Sequence, residues 1–194
     1  MAITNGYATL AEWKSWTVTG STNADDDSVV EDCIEAASRY IDGESGRTFY
    51  ARTETRYFDV PGSRSLRLDD DLIAITTLTN GDGTVITSGY NLIPKNKAPY
   101  WEIRLKDSSS TLWMYDGDGN YEMVISVAGT WGYASTAPHD IRQACLMIAD
   151  SMYRRRVGES TSSTVKITAA GVVITPQDVP SIAAGIIQKY RRRV

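Results

Sequence analysis

Apolar residues recur at i, i+3 and i+4 in three long stretches, and each recurrence predicts an amphipathic helix. From Pro138 to Arg156 they fall at Ile141, Ala144, Cys145, Ile148, Ala149 and Met152. Pro138 suits the first turn, where a missing N–H is harmless, and Asp140 complements the positive end of the helix dipole. Arg154, Arg155 and Arg156 complement the other end, and Gly158 supplies a left-handed stop. From Asp25 to Gly43 the stripe is Val30, Cys33, Ile34, Ala37, Tyr40 and Ile41, preceded by the acidic run Asp25, Asp26, Asp27 and stopped at Gly43. The last segment places Val179, Ile182, Ala183, Ile186, Ile187 and Tyr190 on one face, opened by Pro180 and closed by Arg191, Arg192 and Arg193. A shorter helix is expected over Tyr7–Trp16, where Thr9 and Glu12 have capping-box spacing and Leu10, Trp13 and Trp16 share a side.

From Thr53 to about Tyr133 the period changes from 3.6 to 2. TETRYFDV, LRL, LIAITTLTN, YNLIP, WEIRLK and YEMVISVAGTWGY read as strands, separated by Pro-Gly, Asn-Gly-Asp-Gly and Asp-Gly-Asp-Gly turns. In WEIRLK the residues Glu102, Arg104 and Lys106 alternate with Trp101, Ile103 and Leu105, which predicts one wet face. The expected fold is α+β: a small bundle of about four helices drawn from 1–52 and 134–194, with an inserted antiparallel β-domain at 53–133. Gly158–Gln177 has no helical stripe; its VKIT and VVIT segments suit either a hairpin or a mobile strand that orders on a partner.

A chain of 194 residues, 42% hydrophobic and 23% charged, has the composition of an ordinary globular protein able to bury a core. A net charge of −4 argues against a dedicated nucleic-acid binder, which needs a basic excess. No window is apolar enough for a membrane span, and the N-terminus lacks the basic start and apolar run of a signal peptide. Cys33 and Cys145 lie on apolar helix faces and read as reduced core residues, which implies a cytoplasmic life. Eleven Tyr and five Trp against two Phe favour half-buried surfaces and interfaces over dry cores.

Catalytic signatures are missing from the sequence. His139 is the single histidine, and its place in a first helical turn suits a capping or solvent-facing role better than a base. No HExxH, CxxC, GxGxxG or P-loop spacing occurs. Asp116-Gly-Asp118-Gly-Asn120 opens like a calcium loop, but Val127 stands where the closing Glu belongs, so a tight turn is the better account. Asp69, Asp70 and Asp71 read as a solvated loop. No metal or other cofactor is expected.

The strand ending VAGTWGY, the PHDIRQA helix start at Pro138–Ala144, the Y-R-R-R close at Tyr153–Arg156, the Gly/Ser/Thr-rich loop and the final K-Y-R-R-R-V resemble the head-tail connector, or adaptor, proteins of long-tailed bacteriophages and gene transfer agents. The opening YATLAEWKSW and the Ile41–Phe49 signature I-D-x-x-x-G-R-x-F match that family's start as well. The resemblance implies a non-enzymatic virion protein of the neck, made in the host cytoplasm. Its copies would form a homo-oligomeric ring, a dodecamer in the particle, under the portal protein. A stopper or tail-completion protein would bind below, and DNA would pass through without specific binding. Several of the Asp25, Asp26, Asp27, Asp69, Asp70, Asp71, Asp116 and Asp118 carboxylates would then face channel or solvent. Portal docking is expected from the C-terminal segment, through Val172, Val173, Ile174, Ile182, Ile186, Ile187, Tyr190, Arg191, Arg192 and Arg193. The competing classes are a metal-dependent hydrolase using the Asp-rich turns and a carbohydrate-binding or adhesion module built on the β-stretch.

Overall fold

The computed structural model describes residues 3–17, 24–156, 166–167, 173–174 and 179–192. It divides into two compact units, one of Met1–Gly46 with Ala137–Val194 and one of Arg47–Thr136.

The first unit is helical. Helix α1 spans Leu10–Trp16 and is closed at its start by the Thr9/Glu12 capping box. Helix α2 spans Asp27–Ser45 and α3 spans His139–Arg156. α2 runs through Gly43 and ends at Gly46, which takes the left-handed conformation at φ 64°. The expected stop at Gly43 is therefore displaced by three residues: a helix tolerates one Gly, whereas the αL cap requires it. Val30, Cys33, Ile34, Ala37 and Ile41 of α2 face Ile141, Ala144, Cys145, Ile148 and Ala149 of α3 across the core. Ser38 takes the buried place expected for Tyr40, because a small residue lets the two helices approach. Its hydroxyl donates to the Ile34 carbonyl at 2.7 Å, accepts from the Tyr7 amide at 3.0 Å and lies 3.4 Å from Cys145 Sγ. Trp13 packs edge-on to Tyr153 with ring centroids 5.1 Å apart.

Helix α4, Ser181–Tyr190, packs on α3 and α2 through Ala183 and Ile187. Lys166–Ile167 (β6) and Val173–Ile174 (β7) pair antiparallel, so the hairpin alternative holds for those four residues.

The second unit is a five-stranded antiparallel sheet in the order β1-β5-β2-β4-β3. The strands are β1 Arg52–Phe58, β2 Ser65–Thr79, β3 Tyr90–Ile93, β4 Tyr100–Leu105 and β5 Ile125–Trp131. LRL and LIAITTLTN, read as separate strands, are one: β2 runs unbroken through the three aspartates, pairing with β4 in its first half and β5 in its second. The register shifts between Arg67 and Leu72, which is how one strand turns from one neighbour to the other. A core of Leu66, Leu68, Leu72, Leu78, Ile103, Leu105, Ile125, Val127 and Trp131 fills the inner side. In β4 the alternation holds at Ile103, Arg104 and Leu105 but inverts before them: Glu102 is buried and Trp101 is 41% exposed. Arg104, two residues on, folds back to neutralise Glu102 at 2.7 Å.

Candidate assembly surfaces and the ion network

Three regions hold the residues of functional interest, and each is built by a different element. The C-terminal helix is the first. Ala183 and Ile187 form an i, i+4 stripe narrow enough to fit against α3, and this turns Ile182 outward to 65% exposure, with Ile186 half-buried beside it. Tyr190 donates its hydroxyl to Asp140 Oδ1 at 2.7 Å, and the Arg192 amide donates to the Ser45 carbonyl at 2.8 Å, closing the end of α2. Of the docking residues read from the sequence, Ile187 thus belongs to the core of its own unit and Tyr190 is tied to α3. Ile182, Ile186 and Arg191 present surface, Val173 and Ile174 form β7, and Val172 and Arg193 lie outside the described residues.

A groove of 410 Å³ between α1 and α3 is the second region, with Glu12, Ser15, Trp16, His139, Arg142 and Leu146 among its lining. It brings a hydroxyl, an imidazole and a carboxylate to one place, but not into a catalytic chain. Ser15 Oγ donates back to the Ala11 carbonyl at 2.9 Å. Glu12 is held by the Thr9 amide at 2.8 Å and by Arg142 at 3.0 Å. His139 is exposed, and no hydrogen bond links it to either among the described residues.

The third region is an ion network that the sequence reading missed. Arg52, Glu54 and Arg56 alternate along β1, so they share one face, and they reach over β5 to the aspartates of β2. Arg56 contacts Asp69 at 2.9 Å, Asp70 at 2.9 Å and Glu54 at 2.7 Å, with its guanidinium 4.8 Å from the centre of the Trp131 ring. Burial alone would lower the Arg56 pKa; the Asp69 and Glu54 carboxylates, with Asp70, override it and leave it raised. Arg52 pairs with Asp70. Arg47 holds both oxygens of Asp71, at 2.8 and 2.6 Å, and sits 5.2 Å from the Tyr133 ring. The expected solvated loop at Asp69–Asp71 is therefore wrong: the Asp71 side chain is only 3% exposed and that of Asp70 13%, against 62% for Asp69. A β-bulge breaks strict alternation, which lets neighbouring aspartates serve the same arginine. The signal available in the sequence was the Arg-x-Glu-x-Arg spacing at 52–56, a strand face needing carboxylates opposite.

The turn at Asp116–Asn120 is closed by its own backbone. Asp116 Oδ1 accepts from the Asp118 amide at 3.0 Å and the Asn120 amide at 2.7 Å, and Gly119 takes φ 84°. This is the tight turn read from the sequence, with one carboxylate oxygen occupied by the chain itself. Asp25, Asp26 and Asp118 are exposed, whereas Asp27 is half-buried and pairs with Lys14 at 2.6 Å.

Residues 7–193 match the family described as head completion protein. Among solved structures the chain is similar to a chain of the neck of an empty GTA particle computed with C6 symmetry. The identity is 19%, the TM-score 0.59, and the coverage 100% of this chain and 94% of that one. It is likewise similar to a chain of the virion of a native gene transfer agent particle, with 19% identity, a TM-score of 0.58 and the same coverage. No curated protein matches the chain.

Proposed function

Because this chain belongs to the head completion protein family, we propose that it is a structural protein of the virion neck, a head-tail adaptor without enzymatic activity. Its copies form a ring, twelve in the assembled particle as the connector resemblance implies, beneath the portal protein, and carry the DNA channel on towards a stopper or tail-completion protein. The observation that carries this reading is the family match over residues 7–193, nearly the whole chain. The likeness in fold to a chain of a GTA neck supports it. Exposed carboxylates such as Asp25, Asp26 and Asp118 repel phosphate at short range, with screening over about 10 Å at 0.1 M salt, which suits DNA that must slide without sticking.

Portal docking belongs to the C-terminal segment, through Val173, Ile174, Ile182, Ile186 and Arg191. Ile182 is an apolar side chain left in water beside the Ala183 and Ile187 stripe that holds the helix to its unit, and Arg191 offers forked donors to a partner carboxylate. The test is electron microscopy of isolated portals mixed with the chain. The wild type should decorate portals, while Ile182→Asp combined with Arg191→Ser, which leaves Ala183 and Ile187 in place, should lose most of its occupancy. Full decoration by that variant moves the docking surface elsewhere. A wild-type chain that neither decorates portals nor copurifies with particles, or that binds DNA tightly and salt-sensitively, defeats the adaptor reading.

A further inference from the structure

The β unit separates its charges. Leu68–Pro94 and Asp107–Thr136 contain no Lys or Arg, and their loops come together at one tip. Asn80 is the clasp: its side chain donates to the Leu112 carbonyl at 2.8 Å and accepts from the Met114 amide at 3.0 Å. A Cβ at Gly81 would stand 2.1 Å from the Met114 carbonyl oxygen, so the two loops touch through backbone. The far end of the same loop is pinned by the Val60 amide on the Tyr121 carbonyl at 2.9 Å, and by Asp59 Oδ1, which accepts from the Met123 amide at 2.9 Å.

A loop held this firmly nonetheless exposes a run of large apolar side chains: Val85 at 51%, Leu112 at 54%, Met114 at 46%, Tyr115 at 57%, Tyr121 at 52% and Met123 at 58%. Met123 moreover holds φ 54°, a conformation unfavourable for a non-Gly residue. Asp59, Asp82, Asp118 and Glu122 are exposed around it. The tip is therefore an ordered apolar patch with an acidic rim.

The opposite chemistry lies on the outer edge of the same sheet. Of the unit's cations, Arg47, Arg52 and Arg56 are held by the ion network, and Arg64 donates to the carbonyls of Lys106 and Thr111 at 3.1 Å each. Arg67 on β2, Lys95 and Lys97 in the β3–β4 turn and Lys106 directly after β4 are exposed without an ion pair among the described residues, and Trp101 stands exposed on β4. The turn that carries Lys95 and Lys97 sits at the far end of β3 from the Gly89–Lys106 hydrogen bond.

We propose that the acidic, apolar tip of one copy docks on the basic β3–β4 edge of a second copy. Tip-to-tip pairing would set carboxylates against carboxylates, so the contact joins two different faces. A contact of that kind propagates head to tail and closes into a ring when the rotation allows. Ring closure rests on the adaptor reading above; the contact itself does not.

The experiment uses the full chain and needs no portal. Asp118→Lys with Glu122→Lys reverses the tip, and Lys95→Glu with Lys97→Glu reverses the edge; none of these side chains makes a hydrogen bond or ion pair among the described residues, so circular dichroism and melting should be unchanged. Sedimentation should show the wild type associating, more weakly as salt rises, and each variant alone associating roughly tenfold more weakly or not at all. Mixing the two variants should restore assembly, because every tip then meets an edge of opposite sign. A wild type that stays monomeric at all concentrations, variants that assemble like the wild type, or a mixture that stays apart would each overturn the proposal. Portal decoration, read separately, reports on the adaptor role, so either can fail without the other.

Discussion

Replacing Asp71 by Ala should be among the most damaging single changes available in the β unit. The carboxylate is 3% exposed and takes two hydrogen bonds, at 2.8 and 2.6 Å, from an Arg47 guanidinium that is itself only 19% exposed. Removing the acid leaves a nearly buried cation without its carboxylate, and breaking a buried pair in this way costs about 3–5 kcal/mol. That is a large fraction of the stability of a domain of this size. Asp69→Ala removes a contact to Arg56 of nearly the same length, but the aspartate is 62% exposed, so water replaces the partner and the loss should stay below about 1 kcal/mol. Replacing the pair by Arg47→Met with Asp71→Leu should recover most of the stability, since neither charge then needs solvation. Urea unfolding followed by circular dichroism of Arg47→Met, Asp71→Leu and the double variant, with hydrogen exchange at Leu72 and Trp131 to report on this unit, gives the double-mutant cycle. An Asp71→Ala protein within about 1 kcal/mol of the wild type, or a double variant no better than the sum of the singles, would refute the buried-network account.

Burial raises the Cys145 thiol from 9.0 to about 11. An acid whose folded pKa lies above its unfolded value keeps its proton longer in the native state, so this group withdraws stability as pH climbs from about 9 to 11, by roughly 3 kcal/mol in all. Cys145→Ala should flatten that slope in melts across alkaline pH, and native wild-type protein should resist thiol alkylation at neutral pH. Ile148→Asp places a carboxylate at a position 1% exposed between α2 and α3 and should unfold the helical unit, read as lost helical ellipticity. His139→Ala, at an exposed position, should leave melting and particle assembly within error of the wild type. Gly132 sits at φ 133° with the Tyr50 carbonyl oxygen 2.3 Å from where a Cβ would stand, so Gly132→Ala should lower the melting temperature of the β unit by several degrees.

Periodicity was enough to locate the helices and the switch to strands, because a one-sided stripe is a property of the local chain: Ile141, Ala144, Cys145, Ile148 and Ala149 repeat at helical spacing wherever they are placed. The capping box at Thr9 and Glu12 and the turn at Asp116–Asn120 were legible for the same reason, since their partners lie within four residues. Everything that went otherwise depends on residues far apart in sequence. Asp71 looks like loop in a run of three acids, and only the approach of Arg47, 24 residues away, makes it a buried half of an ion pair. Glu102 looks solvent-facing by alternation, yet it is buried on a strand that lies between β2 and β3. Ile182 and Ile187 look equivalent on the C-terminal helix, yet α3 has room for one narrow stripe, so one is core and the other is surface. The exposed tip was the least visible from sequence, because its apolar residues have no period and its acidic rim is assembled from loops that meet only when Asn80 bridges them. Local spacing fixes which way a side chain points on its own element; what it meets there is decided by which elements fold against it.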